Sequence, residues 1–362
     1  MKRVLFAIVC ISLVFAAFVK AEVSDKDKQL LRAVKDGNLP AIQAALADGA
    51  DINTKDKMNR TVLMTAATDG DANVVKLLLE KGADAGAKDK KSKTALTAAV
   101  TNGHIEAVKL LLEKDTNPNA KNNALWVAAQ NDRTEVARLL LEKGAEINAK
   151  DNIGSTALTM AAQNGKTATA KFLIEKGADV NIKDNYSGTI LMAAAQGGCA
   201  EVAGLLLEKG ADANAKNAAG LTALMMAVQN EQVETVKILL EKKADTNIKD
   251  NDNGTALITA AQSGNAEIAK LLLEKSANAN IQNNKGSTAL LIAAANGSVE
   301  VVKALLEKGA DISLKNNDGE TALDVAKKTL KRFSEMPITS VETERASYTS
   351  IIDLLEKAAV KK

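Results

Sequence analysis

A leucine recurring at a fixed interval constrains the fold of this chain more than any other feature. It stands at Leu30, Leu63, Leu96, Leu125, Leu158, Leu191, Leu224, Leu257, Leu290 and Leu323, evenly spaced except for a shorter step from Leu96 to Leu125. A repeat of about 33 residues is one supersecondary element that cannot bury its own apolar face, so copies must stack on their neighbours. The copy around Leu158 can be read residue by residue. Thr156 is a good N-cap for a short helix over roughly 157–164, and Gly165 ends it because glycine adopts the left-handed conformation freely. A second helix carries Phe172, Leu173 and Ile174 near its end and stops at Gly177, after which Ala178–Asn181 leads into an extended hairpin. Gly49, Gly82, Gly144, Gly210 and Gly309 occupy the place of Gly177 in other copies.

This pattern, Asp151–Gly165 followed by Lys166–Asn181, resembles the ankyrin repeat, and ten copies in one register extend the resemblance over nearly all of residues 22–362. The resemblance implies an all-α repeat solenoid of helix-turn-helix repeats with β-hairpin fingers, about ten including caps. The expected organisation is an N-cap repeat over about 25–55, internal repeats over about 56–315 and a C-terminal cap over about 316–360. The family's Thr-Pro-Leu-His signature is altered. Its proline is replaced, as by Ala157 and Ile190. Its histidine is replaced by Met64, Thr97, Trp126, Thr159, Met192, Met225, Ile258, Leu291 and Asp324. The histidine's hydrogen bonds are therefore expected to give way to apolar contact or to nothing. The fourth copy, at Asn122–Leu125, is shortened by the missing tip and is expected to carry a truncated finger. The last copy holds an insertion over 332–347, with Phe333, Met336 and Pro337, which reads either as a decoration capping the stack or as a docking loop.

Residues 1–21 have the form of a secretory signal peptide: the basic start Met1–Arg3, an apolar run over 4–19 broken by Ser12, and Val19 and Ala21 at the −3 and −1 positions of a cleavage site. A retained anchor is the alternative, although the run is short for a spanning helix. Of the 47 basic residues, Lys2, Arg3 and Lys20 lie in the leader, leaving 44 against 45 acidic ones. A near-neutral body argues against a nucleic-acid partner, which needs clustered Lys and Arg, but leaves room for a local patch. Cys10 falls in the leader, so Cys199 is the one thiol of the body and no internal disulfide is expected.

No catalytic, metal or cofactor constellation stands out. His104 is the only histidine; it and Cys199 occupy the same repeat position three copies apart, too far for a nucleophile–base pair, and zinc needs about four clustered ligands. The acidic row Glu80, Glu142, Glu175, Glu208, Glu241, Glu274 and Glu307 reads as a solvated helix face. The resemblance implies a protein partner, bound by the exposed side of the first helices and by the finger tips. Along those helices lie Gln130, Gln163, Gln196, Gln229 and Gln262, beside a row that includes Asn102, Asn131, Asn164, Asn230 and Asn296. This amide stripe either solubilises a repeated face or forms a ladder for an extended polypeptide. Met58, Ile153, Tyr186 and Leu221 place apolar side chains at finger tips, and with Trp126 they are the candidate anchors. The expectation is a monomeric, non-catalytic interaction module of bacterial type, exported to the periplasm or medium, with no membrane contact beyond the leader. Alternatives are an accessory that stabilises an envelope enzyme or a secreted effector that binds a host protein.

Overall fold

A computed structural model of the chain describes residues 24–114, 119–335 and 342–360; the expected signal peptide over 1–21 lies outside them. The described residues form an all-α repeat solenoid of twenty helices in ten pairs. The pairs are α1 (Asp25–Lys35) with α2 (Leu39–Ala47), α3 (Val62–Asp69) with α4 (Ala72–Glu80), α5 (Ala95–Asn102) with α6 (Ile105–Lys114), α7 (Ala120–Gln130) with α8 (Thr134–Glu142), and α9 (Ala157–Gln163) with α10 (Thr167–Glu175). They continue as α11 (Ile190–Gln196) with α12 (Ala200–Glu208), α13 (Ala223–Gln229) with α14 (Val233–Glu241), α15 (Ala256–Ser263) with α16 (Ala266–Glu274), α17 (Ala289–Ala295) with α18 (Val299–Glu307), and α19 (Ala322–Ser334) with α20 (Glu342–Val360). The chain divides into two compact units, Met1–Val127 with Arg138–Lys143, and Ala128–Ala137 with Gly144–Lys362. The division falls in the pair that follows the shortened step.

Eight of the ten first helices start at a threonine that satisfies a leading N–H group, and α1 starts at Ser24. Thr61, Thr94, Thr156, Thr189, Thr222, Thr255, Thr288 and Thr321 each accept from the backbone N–H three positions on, at 3.2–3.3 Å. The residues standing where the family has histidine do more than the sequence reading allowed. Thr97 and Thr159 accept the N-cap N–H through Oγ1, Asp324 through Oδ2, and Met64 and Met192 through Sδ. Five repeats thus close a reciprocal capping box, which corrects the expectation of apolar contact or nothing.

Burial follows the period. The anchor leucines from Leu30 to Leu290 are at most 2% exposed, each worth about 2–3 kcal/mol of apolar burial. Leu323 is half-buried, since no further repeat among the described residues packs over it. In the second unit α9, α11, α13, α15, α17 and α19 pack each on the next, and in the first α3 packs on α5. Fully buried alanine pairs such as Ala161–Ala162, Ala194–Ala195 and Ala260–Ala261 let these short helices approach closely. Two second helices break the apolar rule: α10 holds Thr169, whose buried hydroxyl donates to Asp132 Oδ1 at 2.8 Å, and α14 departs at the same position. Where other second helices hold Val74, Val202, Ile268 and Val301, α14 holds Thr235, whose buried hydroxyl has no hydrogen-bond partner. Thr235→Val should therefore stabilise the protein by about 1 kcal/mol, read as a rise in the urea midpoint at constant slope.

The expected β-hairpin fingers are not confirmed as paired strands among the described residues. Among the described residues only isolated antiparallel bridges occur, Lys55 with Thr61 and Lys183 with Thr189. Asp or Asn side chains fold each tip into a tight turn instead. Asp184 Oδ1, for example, accepts from the N–H groups of Tyr186 and Gly188. The truncated finger lies partly at 115–118, outside the described residues; from Ala120 onward the chain is already helical. The insertion is largely absorbed by longer helices, α19 running to Ser334 and α20 starting at Glu342, while Met336 and Pro337 fall outside the described residues.

Candidate functional site

Successive fingers of the second unit are tied by a backbone ladder. Asn185 N–H donates to Ile153 O at 2.9 Å, Ala218 to Tyr186 O at 2.9 Å, Asn251 to Ala219 O at 3.2 Å, Asn284 to Asp252 O at 2.9 Å and Asn317 to Lys285 O at 3.0 Å. At the base of the fingers a second ladder runs through asparagine. The N–H groups of Asp179, Asp245, Asn278 and Asp311 donate to Oδ1 of Asn148, Asn214, Asn247 and Asn280, at 2.7–3.0 Å. Both ladders consume backbone groups that would otherwise be open to a partner, so recognition on this face falls to side chains.

Ile153 and Tyr186 occupy the same tip position on adjacent fingers and are 52% and 68% exposed. Leu221 does not join them. Aligned on the turn-forming residues Asp151, Asp184 and Asn217, the equivalent of Ile153 and Tyr186 is Ala219. Leu221 sits two positions further on, donating its N–H to Asn217 Oδ1 with its side chain half-buried. In the first unit Met58 is 47% exposed at its own tip, and Trp126 is half-buried within α7 rather than on open surface. Ile105 and Val360 are also exposed, and neither stood out in the sequence.

The amide stripe separates into two rows with different duties. Asn102, Asn164 and Asn230 spend their side-chain N–H on carbonyls one turn back in their own helices, at 2.8–3.1 Å, and Asn296 donates to Gln262 O. That row finishes helices. Gln130, Gln163, Gln196, Gln229 and Gln262 all belong to the second unit and are exposed, one per repeat. The acidic row from Glu80 to Glu307 is exposed throughout, as a solvated face should be.

His104 and Cys199 have a common structural duty. His104 Nε2 lies 3.0 Å from Thr68 O, and its ring covers Gly70, where an added Cβ would collide with Nδ1. Cys199 Sγ points to Gln163 O across Gly165, and burial pushes its thiol above the ordinary value. A raised thiol is a poor nucleophile. Among the described residues no group of three or more His, Cys, Asp or Glu side chains is placed to hold a metal ion, and no helix is long and apolar enough to cross a membrane.

Comparison with known families decides what the stack is. A model described as ankyrin repeats (3 copies) matches residues 30–122, 82–151, 125–217, 191–283 and 257–332. The chain belongs to the ankyrin-repeat family. Ankyrin repeats are protein–protein interaction modules, generally without catalytic activity, and this chain is one by membership. No curated protein matched it in a sequence search.

Proposed function

We propose that this ankyrin-repeat protein is exported, acts without catalysis as a monomer, and captures a protein partner with the second unit. Ile153 and Tyr186 serve as apolar anchors there and the glutamine row as an uncharged ladder. The observation that carries the reading is the pair of exposed apolar tips in one register on adjacent fingers. Desolvating two such side chains supplies the concentrated energy typical of interface hot spots. The glutamines add donors and acceptors about every 8–10 Å, the spacing of packed helices, which is close to the rise of three consecutive positions of extended chain. Export is supported by the leader: a basic start, an apolar run and Ala21 before Glu22.

The test is a double substitution, Ile153→Ala with Tyr186→Ala. Neither side chain is in the core, so thermal stability should be unchanged, while affinity for the captured partner should fall at least tenfold. Unchanged affinity would move the site elsewhere. Fractionation into periplasm and medium, with N-terminal sequencing for a start at Glu22, tests export.

A further inference from the structure

A near-neutral total hides a marked local imbalance. The fingers over 55–60 and 88–93, both in the first unit, together carry seven basic and two acidic side chains. The fingers over 150–155 and 183–188 each carry one of either sign. Between the two basic fingers and the exposed sides of α3 and α5 lies a cavity of about 370 Å³. Met58, Met64 and Ala98 give it apolar walls, and Arg60, Lys91 and Lys93 bring positive charge to it.

Two acids offset only part of that charge. Asp89 Oδ1 is committed to its own turn, accepting from the N–H groups of Lys91 and Lys93 at 2.7 and 2.8 Å. Asp56 is held by Met58 N–H and by Arg60, whose guanidinium it pairs at 2.8 Å. Lys91 and Lys93 are exposed and make no ion pair among the described residues. Two free ammonium groups at the mouth of an apolar cavity form a composite site. The cavity takes an apolar side chain, and the lysines take anions flanking it.

We infer that this cavity docks an acidic, extended peptide segment of a protein partner, with an apolar side chain between Met58 and Met64 and flanking carboxylates on Lys91 and Lys93. A single strand of nucleic acid fits less well, because no aromatic side chain lines the cavity to stack a base. A flat anionic bilayer could meet the lysines but could not reach the cavity. The site uses none of Ile153, Tyr186 or the glutamine row, so it stands or falls separately from the reading above.

Fluorescence anisotropy of the purified protein with a short labelled peptide alternating Glu and Leu tests it. Binding is expected, weakening as salt rises from about 50 to about 200 mM because exposed charges are screened. Lys91→Glu with Lys93→Glu should weaken it at least tenfold; both side chains project from a turn built by backbone and Asp89, so the fold should persist by circular dichroism. Met58→Asp should weaken it independently, and the double variant at Ile153 and Tyr186 should bind the peptide as the parent does. The inference is overturned if the peptide fails to bind at low salt, or if charge reversal leaves its affinity unchanged. Tighter binding of a labelled oligonucleotide or of phosphatidylglycerol vesicles would also overturn it.

Discussion

Tyr348→Ala is expected to cost about 3–5 kcal/mol, the range for deleting a buried aromatic side chain, and to unfold the C-terminal repeats first. Tyr348 is buried and its ring stacks on Phe333 at 5.5 Å between centroids. Its hydroxyl donates to Ala295 O at 2.6 Å, and burial together with Glu344 holds the phenol above its ordinary value, so it stays a donor. Arg345 fastens the same corner, donating Nε and Nη2 to Phe333 O at 2.9 and 2.6 Å. The ring also lies over Gly297, where a Cβ would fall 3.4 Å from it. Tyr348 thus repeats at the end of the array what His104 does near its start: a ring over a glycine and a polar tip on the carbonyl of the preceding first helix. Tyr348→Phe keeps the ring and should cost only about 1 kcal/mol. Hydrogen exchange resolved by segment would show α19 and α20 losing protection before α13 or α15, because each repeat contacts only its neighbours. Equal, small losses from both variants would mean that the insertion does not anchor the end of the stack.

Much of this was legible in the residues because it is written at the period. Threonine caps, buried leucines and terminating glycines recur from copy to copy, so one copy read well is all copies read. What escaped was written elsewhere. Leu221 was placed at a tip as an apolar residue among the fingers; counting from Asn217, the residue that builds the turn, puts it two positions past Ala219. Whether Met64 or Thr97 bonds the N-cap N–H depends on a side-chain rotamer, which spacing does not encode. His104 and Cys199 were seen to share a register, but not that the register lies over the preceding glycine, since that contact joins one repeat to the one before it. The basic fingers were visible as charge, yet the chain total concealed them, and only the folded first unit brings Met64 and Ala98 beneath them. The pairing of Phe333 with Tyr348 joins two ends of an insertion with no counterpart in the other repeats, so no periodic argument could reach it.

Gly220→Ala should destabilise the second unit by about 2–4 kcal/mol, combining a left-handed backbone unfavourable to side chains, at about 1 kcal/mol, with overpacking at about 1–3 kcal/mol. Gly220 has φ +78, and a Cβ there would fall 2.8 Å from Asn251 N and 2.6 Å from its Oδ1. Asn251 donates its backbone N–H to Ala219 O and Nδ2 to Ala218 O, so displacing it breaks both bonds between these two fingers. Left-handed backbone alone is not the obstacle, as the neighbouring fingers prove. At the same tip position Ser187 has φ 61 and Asn253 has φ 57, and both are accommodated. Ser187→Gly should accordingly be neutral or stabilise by up to about 1 kcal/mol, by relieving that backbone. The pair of variants separates two causes that a single glycine substitution confounds. If Gly220→Ala costs no more than about 1 kcal/mol, the left-handed backbone accounts for it and adjacent fingers can part without loss. A cost near the upper figure, measured by urea unfolding, would mean that the fingers behave as one fastened sheet of turns, in which Ile153 and Tyr186 are held at fixed separation before any partner arrives.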